Sequence, residues 1–193
     1  MTAVTPKFVT LVSGLPRSGT SMMMQMLDKG GLPILTDRER AADDDNPRGY
    51  CELEAVKRTK DDASWLNEAP GKAVKVIYWL LKDLPDIHQY RVLLMQRSIS
   101  EIIASQSVML ARRGETGADV SAEQLERVFV KDLDNTKRWM ASRKNFEVLE
   151  IQYSDVLTDT QGQAENIRCF LDLPLDVVAM ANSVDQNLYR QRS

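Results

Sequence analysis

The sequence predicts a single α/β domain over residues 1–193, with a central parallel β-sheet flanked by helices in three layers. Three observations carry that expectation. Short β-branched, apolar runs alternate with helix-like segments, the order that builds a parallel sheet wrapped by helices. The first such run, "KFVTLV" at Lys7–Val12, passes through a glycine-bounded loop straight into a helix. A chain of 193 residues, 43% apolar and 27% charged, is also long enough for one substantial core.

The elements follow in order. Lys7–Val12 reads as a buried strand closed by Ser13-Gly14. "TSMMMQMLDKGG" is helical by composition and stops at Gly30-Gly31. "LPILTD" is a candidate second strand. "DRERAADDDNPRGY" is an exposed acidic loop punctuated by Asn46-Pro47 and Gly49. A helix is expected over Glu52–Lys60, then a strand at Ala73–Ile77 running into a short helix that ends near Pro85. "YRVLLMQR" is the next strand, and "SEIIASQSVMLARR" continues as a helix capped by Ser100. Leu125, Phe129, Leu133 and Met140 recur at helical spacing as far as Arg143. "FEVLEIQY" is the last strand, followed by two short helices, and loops 36–50 and 114–120 are the expected mobile segments.

Composition narrows the function. A net charge of −3 offers no basic excess for nucleic acid. No run reaches membrane-spanning length, so no membrane partner is expected. Cys51 and Cys169 form no metal-like or redox-like cluster, which predicts reduced thiols, no metal site and a cytoplasmic protein. Met22, Met23, Met24 and Met26 read as helix packing.

The chemistry concentrates in "SGLPRSGTS". Gly14 and Gly19 have the separation of a phosphate-binding G-x-x-x-x-G-K-[ST] loop, and Ser21 takes the hydroxyl position. This is the P-loop NTPase-like frame, except that Thr20 replaces the lysine and the cation is Arg17. A helix N-terminus can still hold an anion there. Metal-assisted phosphoryl transfer loses its lysine. The plain alternative is a strand-to-helix turn with no ligand.

A second signal is "LLMQRSISEIIAS". Arg97 closes an apolar strand and Ser105 follows eight residues later. An arginine at a strand's C-terminal end faces the crevice where α/β sheets bind ligands. Alternatively, Arg97 caps the strand at the surface and Ser105 is a solvated helix residue. A nucleotide kinase would end this strand on an acidic residue to hold magnesium, and here it ends on a cation.

"PRSGTS", Pro16–Ser21, resembles the 5′-phosphosulfate-binding loop P-[KR]-S-G-T-[ST] of the sulfotransferases that use 3′-phosphoadenosine 5′-phosphosulfate, PAPS. Arg97 and Ser105 resemble that family's 3′-phosphate-binding pair. "DDDNPRGYCE" is similar to the Asn-Pro-x-Gly-[FY]-x-Glu segment of its bacterial members, and "IQYSDVL" to its Tyr-Glu-Asp-Leu segment. The "RKGxxGDWK" of cytosolic animal members has no counterpart, leaving Arg190 and Arg192 as candidate cofactor contacts near the end. The resemblance implies a P-loop-like sheet, PAPS as donor, adenosine 3′,5′-bisphosphate (PAP) as product, and no metal. It implies a small-molecule, glycan or peptide acceptor. The cofactor-binding residues it implies are Arg17, Ser18, Gly19, Thr20, Ser21, Arg97 and Ser105.

Candidate catalytic residues follow from the reaction. The acceptor must lose a proton, and charge on the departing oxygen needs a cation such as Arg17. Glu52 is the candidate base, with Glu54 and Asp45 as alternatives. The lone histidine, His88, precedes a strand and so lies on the wrong side of a parallel sheet. Lys75, a charge inside "AVKVI", either aids the leaving group or points to solvent from an edge strand. Asp43-Asp44-Asp45 reads as a solvated loop that would disfavour anionic acceptors if it borders their pocket. Trp65, Tyr78 and Trp79 line an acceptor pocket or pack in the core. The rival functions are a P-loop nucleotide or small-molecule kinase and a non-catalytic PAP/PAPS-binding relative.

Overall fold

Residues 6–37, 39, 43, 46, 49–114 and 120–185 are described by a computed structural model. Much of loops 36–50 and 114–120 falls outside those residues, as do Asp44, Asp45, Arg190 and Arg192. Four strands form one sheet: β1 (Phe8–Gly14), β2 (Ala73–Lys75), β3 (Gln89–Gln96) and β4 (Phe146–Gln152). All pair in parallel, in the order β2-β1-β3-β4. This is the predicted α/β architecture.

Strand side chains alternate between faces, and the core divides accordingly. Val12, Leu93, Met95 and Ile151 lie on one face with Met23, Met24, Met26 and Leu27 of α1 (Thr20–Lys29). The same cluster takes in α4 (Tyr153–Thr158), α5 (Thr160–Leu171) and α6 (Val177–Asn182). The four methionines are therefore core or near-core packing, as their helical spacing predicts. Val9, Leu11, Val74, Val92 and Leu94 occupy the opposite face. Met140 of α3 (Ala122–Ala141) and three short 3-10 helices, Glu54–Arg58, Ser64–Glu68 and Tyr78–Asp83, cover it. Each fully buried Leu or Val stabilises the fold by about 1.5–3 kcal/mol, so two stacked faces hold the sheet rigid under its loops.

Several boundaries differ from expectation. "LPILTD" forms only an isolated parallel bridge, Ile34 to Ala73. Pro33 has no N–H, so it accepts from Ala73 N at 2.8 Å and Leu35 N donates to Ala73 O at 2.9 Å, with no further ladder. The helix expected over Glu52–Lys60 is a single 3-10 turn, where the Thr59 hydroxyl bonds back to Val56 O at 2.6 Å. The strand expected through Ile77 ends at Lys75, and a 3-10 turn begins at Tyr78. Helix α2 spans Ile99–Arg113 with Ser98, rather than Ser100, at its N-cap. Helix α3 ends at Ala141 and opens on a closed capping box between Ser121 and Gln124. No helix among the described residues is long and apolar enough to cross a membrane.

The strand order creates the site. The chain leaves β1 toward β2 on one side, while β3 lies on the other. That switch point opens a crevice beyond the carboxyl ends of β1 and β3.

Candidate active site

The loop from β1 to α1 is tightly determined. A Cβ on Gly14 would stand 2.5 Å from Ser18 Oγ and 2.7 Å from Met95 O. Gly19 has φ +102, and a Cβ there would stand 2.5 Å from the Tyr153 ring. Between them Arg17 adopts φ 72, in the left-handed region. The Ser18 N–H donates to Leu15 O at 3.1 Å and closes the turn. Gly19→Ala should destabilise the protein by about 1–3 kcal/mol through overpacking and backbone strain. A thermal melt would register this as a drop in Tm, and an unchanged Tm would refute the packing described.

Helix α1 then starts at Gly19 with no side-chain cap and no acidic residue in its first turn. Its positive dipole end therefore faces the crevice with no carboxylate from its own first turn. Thr20 and Ser21 open the helix and line a cavity of about 320 Å³.

Two arginines, one from the loop after β1 and one just beyond the end of β3, meet in this cavity. Arg17 Nε donates to Ser105 Oγ at 2.9 Å, joining the first loop to the middle of α2. Arg97 Nη1 donates to the Arg17 carbonyl at 3.1 Å. Arg97 Nε donates to Glu101 Oε2 at 2.8 Å, and its guanidinium lies 4.7 Å from the Tyr153 ring centroid. Burial raises the Tyr153 phenol pKa, with Arg97 opposing and Glu101 reinforcing that shift.

A third cation comes from β2. Lys75 Nζ donates to Ser21 Oγ at 3.2 Å, Tyr50 O at 3.0 Å and Glu52 Oε1 at 3.3 Å. Its side chain is 8% exposed and that of Glu52 16%. An ammonium so buried requires partners, and these three oxygens are among them. Backbone turns at Gly49 (φ 85) and Cys51 (φ 52) bring the Tyr50 carbonyl onto it. The site thus combines an N-terminal helix dipole with the guanidiniums of Arg17, Arg97 and Arg112, the Lys75 ammonium, the hydroxyls of Thr20, Ser21 and Ser105, and the carboxylates of Glu52 and Asp185. That donor set suits a polyanionic ligand, and the Glu52 carboxylate lines the same cavity.

No family model matches this sequence, and no curated protein matches it by sequence. Solved structures do match. The sulfotransferase domain of the Synechococcus PCC 7002 olefin synthase aligns with a TM-score of 0.57 at 16% identity, covering 98% of this chain and 82% of that one. A sulfotransferase domain from the curacin biosynthetic pathway aligns with a TM-score of 0.55 at 12% identity, covering 96% and 80%. The chain has the sulfotransferase-domain fold.

Within that fold, Arg17, Gly19, Thr20, Ser21, Glu52, Lys75, Arg97 and Ser105 all line the one cavity. Ser18 does not. The residue is 1% exposed, and its hydroxyl packs against Gly14. Lys75 faces inward, away from solvent, although β2 is an edge strand. His88 sits at the opposite end, where its carbonyl accepts from Asn145 Nδ2 at 3.0 Å. Glu54 is outside the cavity and pairs with Lys57 at 2.5 Å.

Trp65, Tyr78 and Trp79 are not among the cavity walls. Trp65 is in the core, with Nε1 donating to Thr59 Oγ1 at 2.9 Å. Trp79 is 48% exposed at the surface. Tyr78 donates to Asp132 Oδ2 at 3.3 Å, and burial, aided by that carboxylate, pushes its pKa up to about 12.

Tyr50, Glu101, Arg112 and Tyr153 are site residues that sequence reasoning did not select. The signal for Arg112 was available: Ser105, Val108, Met109 and Arg112 share one helix face, and all line the cavity.

Proposed function

We propose that this protein transfers a sulfuryl group from PAPS to a hydroxyl or amine of an acceptor. The carrying observation is that Arg17 meets both Ser105 and Arg97 in one cavity, across 88 and 80 residues of chain. Two sequence motifs that resemble the two phosphate-binding elements of one nucleotide are thereby adjacent at a helix N-terminus. The sulfotransferase-domain fold supports the same reading.

Arg17, Thr20, Ser21 and the first amides of α1 would hold the 5′-phosphosulfate, while Arg97 and Ser105 would hold the 3′-phosphate. PAPS supplies a sulfuryl group on a leaving group that departs with its electron pair. The protein's residues do the rest. Glu52 accepts the proton of the acceptor's O–H or N–H as that oxygen or nitrogen bonds to sulfur. Arg17 stabilises the negative charge that develops on the oxygen whose bond to sulfur breaks. Lys75 keeps Glu52 and Ser21 in place on either side of its ammonium and adds a third positive charge nearby.

Titration calorimetry with PAP, and separately with ATP and Mg²⁺, tests this on wild type and Arg97→Ala. PAP should bind, and the variant should bind it about 10- to 150-fold more weakly, the worth of a charge-assisted hydrogen bond. Binding of ATP–Mg²⁺ without PAP would overturn the proposal in favour of a kinase. PAP binding without turnover of PAPS against a broad panel of alcohols, phenols and amines would leave a non-catalytic relative.

A further inference from the structure

Arg97 is held by more than its place at the end of β3. Its ion pair with Glu101 is almost wholly buried, at 9% and 8% side-chain exposure. Burial makes a carboxylate costly unless it is paired and hydrogen-bonded. A carboxylate beside an anion site is also repulsive to the anion. Glu101 therefore needs a reason to be there.

The start of α2 supplies one. Ser98-Ile99-Ser100-Glu101 has the S-x-x-E pattern of a capping box, in which the glutamate reaches back to the N-cap amide. In α3 the corresponding box, Ser121 with Gln124, is closed on both sides. In α2 Ser98 makes no side-chain cap, and its hydroxyl instead pairs with Ser100 Oγ at 2.6 Å. Glu101 turns to Arg97 Nε. With Nη1 on the Arg17 carbonyl and the plane over Tyr153, the guanidinium is fixed on three sides.

We infer that Glu101 is a positioning residue that orients Arg97 and thereby sets the preference for 3′-phosphorylated nucleotides. The inference rests on the proposed reading, in which Arg97 meets the 3′-phosphate. An arginine already locked in its binding orientation loses less side-chain freedom on binding. Glu101 therefore favours the 3′-phosphate by geometry although its charge opposes it, and the sign of the mutational effect separates the two.

The test compares PAP with adenosine 5′-monophosphate by calorimetry on wild type, Glu101→Ala and Glu101→Gln. In Glu101→Ala the affinity for PAP should fall about tenfold or more, while that for the monophosphate stays within about threefold. Glu101→Gln keeps an oxygen for Arg97 Nε, so it should retain most of the preference. Unchanged monophosphate binding doubles as evidence of folding. If Glu101→Ala does not fold, Glu101→Asp replaces it, since it keeps the charge but is one methylene too short, and its preference should fall likewise. Equal losses for both nucleotides, or tighter PAP binding, would overturn the inference while leaving the proposed function standing. A wild type with no preference for PAP over the monophosphate would overturn both.

Discussion

Arg17→Ala is expected to lower kcat for sulfuryl transfer about 10²–10³-fold, the usual cost of removing a preorganised donor from a developing charge. PAP binding should weaken much less, because the α1 amides, Thr20, Ser21, Arg97 and Ser105 remain. The substitution is clean for two reasons. Arginine and alanine both carry a Cβ, so the left-handed backbone at φ 72 is no more strained by one than by the other. The loop's own hydrogen bonds, Ser18 N–H to Leu15 O and Arg97 Nη1 to the residue 17 carbonyl, are backbone bonds at this position and survive. Arg17→Lys keeps the charge but gives up the planar fork and its Nε contact to Ser105. It should retain most of the rate, since the motif the loop resembles accepts either cation. Steady-state kinetics with an acceptor found by screening, beside PAP titrations, checks both variants. A kcat for Arg17→Ala within about threefold of wild type would remove Arg17 from the chemistry and leave it a structural role in bridging β1 to α2.

The parts of this site that the sequence makes legible are those fixed by backbone and by strand ends. Gly14 and Gly19 announce a loop that tolerates no Cβ, and both meet packed atoms within 2.5 Å of one. Arg97 announces itself by ending an apolar strand, and a parallel sheet sends every such end to the same edge. The period-two split of Val92 and Leu94 from Leu93 and Met95 likewise follows from the pleat. The rest turns on side-chain direction, which local sequence does not determine. Ser18 lies within the loop motif yet packs against Gly14, because the turn at φ 72 just before it rotates the chain. Glu101 matches a capping pattern and does something else, because a buried arginine is the stronger partner for a carboxylate than a backbone amide. Tyr153 is reached only through the sheet, where β4 delivers its ring against Gly19, 134 residues away in sequence. Lys75 sits on an edge strand, and only the position of α1 and the Tyr50 carbonyl shows that it faces inward.

Glu52→Gln should lower kcat about 10²–10⁴-fold if the carboxylate is the general base, with PAP affinity nearly unchanged. The variant is informative because Glu52 has two separable roles. Its Oε1 accepts from Lys75 Nζ at 3.3 Å, and glutamine can preserve that bond through its own carbonyl oxygen. Glutamine cannot take a proton from the acceptor. A loss of rate with Lys75 still held therefore isolates proton transfer from orientation. Lys75→Met provides the converse, since it removes an ammonium that touches Ser21, the Tyr50 carbonyl and Glu52 together. That variant removes the ammonium from a half-buried carboxylate and should disturb PAP binding and rate alike. Measuring kcat and KM for both variants, with PAP titration as the binding readout, separates the roles. A Glu52→Gln enzyme within about threefold of wild-type kcat would reduce Glu52 to an anchor for Lys75. The base would then have to be another group of the cavity, where Asp185 is the other carboxylate among the described lining residues.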